Sequence, residues 1–298
     1  MKINKHRSTN QILLGLLTLA VIGFSGCSDQ PTEVEDYNPE PILTAFLYGG
    51  EDIEPVTLEW AGGIYAYYQP GNNAISGADV KIWEIGPDPV QDTLYFEFND
   101  NLKKYLPTNE AEWGVPQHLR SYRIEAHKAS ENIHMWAETV IPDTFTTIIT
   151  PEPVGFDSVA ILDTLNRNMA PIELHWSQSA LAAGYVQTIV CLDTTYQPLD
   201  PDWDPIEDEI PEDSSRYSFD LAMAGQDFTT LAWINFWYEG WHEIQNQAVD
   251  PYYWEYFFSV FRLWMGQVND LEYHMNGGLG VFAGITRDRY MVYIEKVE

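Results

Sequence analysis

The chain has 298 residues, 45% of them hydrophobic and 14% aromatic, with 45 acidic against 15 basic side chains and a formal charge of −30. So much apolar content excludes a disordered chain, and so much negative charge disfavours a nucleic-acid partner or electrostatic binding to an anionic membrane surface. With only Cys27 and Cys191, a disulfide scaffold and the cysteine pairs of a structural zinc site are excluded as well.

At the N-terminus, Lys2, Lys5 and Arg7 precede an apolar run, Ile12–Phe24, and the small residues Ser25 and Gly26. The run is short for a membrane span and fits a secretory signal, so residues 1–26 are expected to be removed. Phe24-Ser25-Gly26-Cys27 resembles the lipobox of bacterial lipoproteins, with Phe24 where Leu is usual. The resemblance implies a mature chain that starts at Cys27 and is lipid-anchored through it, with 12 basic and 45 acidic residues and a formal charge of −33. A secretory signal followed by a chance cysteine is the simpler alternative.

Residues 27–41 form an acidic, proline-broken tether with Asp29, Glu33, Glu35, Asp36 and Glu40. Acidic residues soon after a lipidated cysteine resemble the surface-export signals of Bacteroidota lipoproteins, which implies an outer-membrane protein facing the cell exterior. A periplasmic face remains the alternative.

From 42 to 142 the pattern is of short strands separated by turn residues: Ile42–Tyr48, Val56–Trp60, Ile64–Tyr68, Ala78–Ile85, Thr93–Phe98, Ser121–His127 and Ile133–Ile141. Gly49-Gly50, Gly62-Gly63, Pro70-Gly71 and Gly86-Pro87 punctuate them. This predicts a β-sandwich, and the segments resemble the immunoglobulin-like or transthyretin-like domain at the front of many Bacteroidota surface proteins. Pro142, Pro151 and Pro153 then mark residues 143–155 as a linker, leaving 156–298 as a second, β-rich domain.

In that second domain, Ile172–Trp176 and Tyr185–Val190 read as strands, and the Trp176 and Tyr185 pair resembles the fibronectin type III arrangement in which both rings pack between sheets. The alternation sets His175 out of phase with Leu174 and Trp176, toward solvent. Cys191 ends an apolar strand and reads as an inert buried thiol.

Asp200–Asp213 holds eight carboxylates among prolines. Asp200, Asp202, Asp204 and Asp208 imitate part of a calcium loop, but Pro205 stands at the glycine position and Pro211 at the terminal glutamate position. A solvated acidic loop is the competing reading, and no other cofactor is indicated.

Trp233–Trp264 has 13 aromatic residues in 32 positions. Thr229–Tyr238 with Glu239-Gly240 predicts a hairpin, and Asp250-Pro251 predicts an N-cap with a first-turn proline, so that Tyr252–Leu263 forms a short helix. Such clusters usually build cores, but stacked rings also bind the apolar faces of sugars or peptides. Trp237, Trp241, Tyr252 and Trp254 are the candidates for such a platform. The glycines of Asn276–Gly284 lack nucleotide-loop spacing and read as turn and bulge positions before a closing strand, Tyr290–Ile294.

Asp250–Tyr256, Gly278–Gly284 and the strand ending Val140-Ile141-Pro142 together resemble an uncharacterised Bacteroidota outer-membrane lipoprotein family. Its members often accompany TonB-dependent transporters, so the resemblance implies an accessory or ligand-handling lipoprotein. It nominates no catalytic residue.

The residues themselves offer an enzyme little. His242-Glu243 opens like a zincin helix, but Asn246 occupies the second histidine position, and there is no nucleophile elbow or phosphate loop. Glu239 and Glu243 are one of many acidic pairs in so acidic a chain. A glycan- or peptide-degrading enzyme and a structural or adhesive surface protein are the competing functional classes.

Overall fold

Strand-forming residues with period-two alternation dominate the chain, and the computed structural model is accordingly all-β with a short helix near the C-terminus. It describes residues 39–62, 71–157, 159–195, 197–200, 217–223, 225–267 and 271–297. The signal run, Cys27, the tether up to residue 38, the expected strand Ile64–Tyr68, and Asp202, Asp204 and Asp208 lie outside the described residues.

In chain order the strands are β1 (Pro41–Tyr48), β2 (Thr57–Trp60), β3 (Asp79–Ile85), β4 (Leu94–Asn99), β5 (Lys104–Pro107), β6 (Ser121–Lys128), β7 (Ile133–Val140), β8 (Thr147–Thr150), β9 (Gly155–Asp157), β10 (Val159–Ile161), β11 (Ile172–Trp176), β12 (Gly184–Cys191), β13 (Tyr217–Met223), β14 (Phe228–Leu231), β15 (Gly240–Val249) and β16 (Leu279–Ile294). Among the described residues two α-helices interrupt them, α1 (Glu110–Trp113) and α2 (Pro251–Trp264). The strands form three sheets: β5-β4-β3-β6-β7, β14-β11-β8, and a large sheet ordered β13-β12-β15-β16-β1-β2, with β9 and β10 attached beside β16.

The large sheet is the common floor of two sandwiches. The five-stranded sheet closes over β1 and β2 with Leu43, Leu47, Leu58, Val80, Ile82, Ile124 and Met135 in the first core. This is the immunoglobulin-like layer pair. Three strands, β14-β11-β8, close over β12, β15 and the end of β16 with Leu174, Trp176, Ile189, Ile244 and Val292 in the second core, a fibronectin III-like layering. Trp176 and Tyr185 meet there at 5.1 Å between centroids, and the Tyr185 hydroxyl accepts from Ser179 N at 2.7 Å. Each fully buried Leu or Ile side chain contributes about 1.5–3 kcal/mol of transfer free energy.

The 16-residue β16 joins the two halves, since its first part pairs parallel with β1 over Leu279–Ile285 and its second part antiparallel with β15 over Ile285–Ile294. Alternation then explains its composition. Phe282 points into the first core, and Tyr290, Val292 and Ile294 point into the second. Between them Gly284, Thr286 and Asp288 share that face and receive the chain crossing from β7 to β8. Thr286 Oγ1 donates to Pro142 O at 2.7 Å, and Asp288 Oδ2 accepts from Thr147 N at 2.9 Å. Residues from Glu40 to Glu298 accordingly form one compact unit.

The opposite face of β16, Val281, Ala283 and Ile285, lies with Phe46 and Val186 under Tyr253, Trp254 and Phe257 of α2. The helix starts as its sequence predicts, with Asp250 Oδ1 accepting from Tyr253 N at 2.7 Å and Pro251 in the first turn. Gly184 makes room for it, because a Cβ there would lie closer than 3.0 Å to three atoms of the Trp254 indole. Gly184→Ala is expected to cost about 1–3 kcal/mol through overpacking, read as a lower urea midpoint with altered tryptophan emission.

Three expectations are corrected. The proline-rich stretch 143–155 is more than a linker, since the β-branched run Thr147-Ile148-Ile149-Thr150 forms β8 and pairs with β11. Thr229–Tyr238 does not form a hairpin: β14 pairs with β11, Trp233–Asn235 is a single 3-10 turn, and β15 belongs to the other sheet. The chain changes layers there, which short-range pattern does not reveal. Gly280 and Gly284, read as turn and bulge glycines, lie inside β16, where neighbouring backbone leaves no space for a Cβ.

An aromatic cleft as candidate functional site

The layer change after β14 leaves a run of aromatic residues at the end of the second sandwich. Phe236 turns inward, 3% exposed, and anchors the run against Trp233 and His242 at 5.7 and 5.4 Å between centroids. Burial holds His242 largely neutral, its pKa pushed down to about 4, with its Nδ1 beside Gly240 O at 2.9 Å. Trp233, Ile234 and Trp237 are left facing a cleft of about 560 Å³, within the usual range of small-molecule sites. Among the described residues, Leu199, Asp200 and Arg167 form further parts of its walls.

Backbone hydrogen bonds fix these walls. Trp237 O accepts from Leu199 N at 2.9 Å, and Gln197 O accepts from Glu239 N at 2.8 Å, which ties the segment bearing Asp200 to the one bearing Trp237. Arg167 sits on a tight turn in which Asn166 O accepts from Met169 N at 2.9 Å and Asn166 Oδ1 accepts from Asn168 N at 3.0 Å. The turn is held down by Leu165, buried in the second core and bridged to Ile294. Trp233 Nε1 donates to Met169 O at 3.1 Å and Trp237 Nε1 to Ile234 O at 2.9 Å, so both indoles are oriented before any ligand arrives. Rings fixed in this way lose little conformational entropy on binding.

The charges around the cleft are unusual for this protein. Arg120, Arg123, Arg262, Arg287 and Arg289 each lie within 4.0 Å of a carboxylate. Arg287 is the most enclosed, its guanidinium donating to both Glu51 oxygens and lying 3.6 Å from the Tyr48 ring centroid. Arg167 is exposed and, among the described residues, makes no such pair.

The four aromatic candidates from the sequence are dispersed. Trp237 lines the cleft. Trp241 is on the opposite face of β15 from His242, packed edge-on to Tyr293 at 5.6 Å and 40% exposed. Tyr252 and Trp254 belong to α2, Tyr252 beside His274 at 4.9 Å and Trp254 over Gly184. Asp200 also lines the cleft, whereas its companions in the calcium-like pattern lie outside the described residues. The sequence reading missed Trp233 and Arg167 as site residues. The Asn-Arg-Asn-Met turn signal at 166–169 was visible, but nothing local linked it to tryptophans about 70 positions away.

Among the described residues no cluster of three or more His, Cys, Asp or Glu is placed to hold a metal ion. In β15, His242 turns into the core and Glu243 to the other face, so the zincin-like dipeptide is split by strand alternation. No helix of the described residues is long and apolar enough to cross a membrane.

No known family profile matches the chain, and no curated protein matches it. Among solved structures the chicken CNTN1 FN1–FN3 domains align over 85% of this chain and 68% of that one, with 9% identity and a TM-score of 0.19.

Proposed function

We propose that this is a lipid-anchored surface protein that binds a glycan or peptide in the Trp233–Trp237 cleft and carries out no chemistry on it. The observation that carries the reading is the pair of indoles locked by hydrogen bonds to Met169 and Ile234 on the rim of a cleft. Such rings offer flat apolar area at fixed orientation, which recognises ring faces, and among the described residues nothing beside them resembles a nucleophile with its base. Lipidation at Cys27 and display at the outer membrane, beside a TonB-dependent transporter, complete the proposal and rest on the N-terminal sequence and the family resemblance.

A glycan and peptide array tests the binding claim. Wild-type protein should retain a ring-bearing ligand, and Trp237→Ala should weaken it at least tenfold, as expected for a buried aromatic anchor. Turnover of the retained ligand, lost on replacing one carboxylate, would instead favour a degrading enzyme.

An adhesive role is the second reading, favoured by the apolar side chains Phe219, Met223, Phe258 and Val260, which are exposed on β13 and α2. A mild-detergent pull-down with Cys27→Ala as control separates the two. Recovery of a transporter supports the accessory role, and recovery of other surface proteins supports adhesion.

A further inference from the structure

Resting on the reading of the cleft as a binding site, we infer that its ligand is a sugar carrying a carboxylate, of the uronic acid class, held by Arg167 while its ring stacks on the indoles. In a chain with three times as many acids as bases, a guanidinium without a carboxylate partner is exceptional. Among the described residues every other arginine has one. The exception lines the one described cavity that Trp233 and Trp237 also line.

The planar guanidinium fork matches a carboxylate with two parallel hydrogen bonds, which a neutral sugar cannot supply. The turn carrying Arg167 is tied to Trp233 through Met169 O, so the backbone that presents the cation is fixed relative to the ring it would serve. Asp200 lines the same cleft on the segment bonded to Trp237. Its negative charge repels an anion, which directs the acid group of the ligand away from Asp200 and toward Arg167. The overall negative charge of the protein opposes an anionic ligand at long range. Selectivity therefore depends on the close Arg167 contact, and salt should weaken the contact and the repulsion together.

Isothermal titration of the purified full chain with trigalacturonate, galactotriose and a sulfated galactotriose tests this. Trigalacturonate should bind at least tenfold tighter than galactotriose, and Arg167→Met should bring it down to the affinity of the neutral sugar. Trp237→Ala should weaken binding of both. Equal affinities in the wild type, a preference that survives Arg167→Met, or a sulfated sugar that binds tightest would overturn the carboxylate assignment. Loss of neutral-sugar binding in Trp237→Ala would still uphold the cleft in each of those cases. If none of the three sugars binds, the acidic-sugar inference falls, and the array then shows whether the cleft reading falls with it.

Discussion

Gly284→Ala should remove about 3 kcal/mol of stability and loosen both sandwiches at once. The added Cβ would lie closer than 3.0 Å to the carbonyl carbon and oxygen of Val140 and to Thr139 Oγ1. Two of those three atoms are backbone at the end of β7, which has nowhere to retreat because Thr286 holds the next carbonyl but one, that of Pro142. Overpacking in a tight core costs 1–3 kcal/mol, and a backbone clash belongs at the upper end. Because Gly284 sits where β16 passes from one core to the other, the urea midpoint should fall by the same amount whether the near-ultraviolet signal or the backbone dichroism is followed. An unchanged midpoint would mean that β7 is not seated on β16.

The second large effect concerns Asp250, a fully buried carboxylate that caps α2 and links it to β7. Its oxygens accept from Tyr253 N and from the Thr139 hydroxyl. Asp250→Ala should cost about 3 kcal/mol, combining a lost N-cap with donors left buried and unsatisfied. Burial also pushes the Asp250 pKa up to about 6 from 3.8, against the opposing pull of hydrogen bonds from Thr139, Tyr253, Gly284 and Val140.

Between those two values the folded protein binds the proton and the unfolded chain does not, so this group lowers stability as pH rises from about 4 to 6. Buried His242 has the opposite sign. Its neutral form stabilises the fold above 6.5, and that contribution is lost as pH falls toward 4. The stability difference between wild type and Asp250→Asn isolates the first group. It should shift in favour of wild type as pH is lowered from 7 to 4, by about 1–3 kcal/mol, in urea titrations at each pH.

Local chemistry made much of this fold legible. Val80-Lys81-Ile82 and Ile133–Val140 alternate as half-buried strands and are strands, and Asp250-Pro251 opens a helix because cap and proline act within one turn. The pairing of β1 with β16 was not legible, since contacts between residues some 240 positions apart leave no periodic trace. The same limit applies to Gly280 and Gly284. Each is required by a neighbouring backbone, Leu43 and Val140 respectively, that the sequence does not place beside it.

The cleft follows the same rule. Trp237 stood out by residue type alone, whereas Arg167 gains its meaning only from the turn that brings it beside Trp233. Trp241 and Trp254, as conspicuous as Trp237 in sequence, are divided from it by strand alternation and by the helix.

The claim that ligand binds in the Trp233–Trp237 cleft is tested most directly by fluorine NMR of protein labelled with 5-fluorotryptophan. Resonances are assigned through single Trp→Phe variants, and the protein is titrated with the ligand retained on the array. The account predicts that the Trp233 and Trp237 signals move together and saturate at the same ligand concentration while those of Trp241 and Trp254 stay fixed. Movement of Trp241 or Trp254 with the cleft pair unmoved would contradict it.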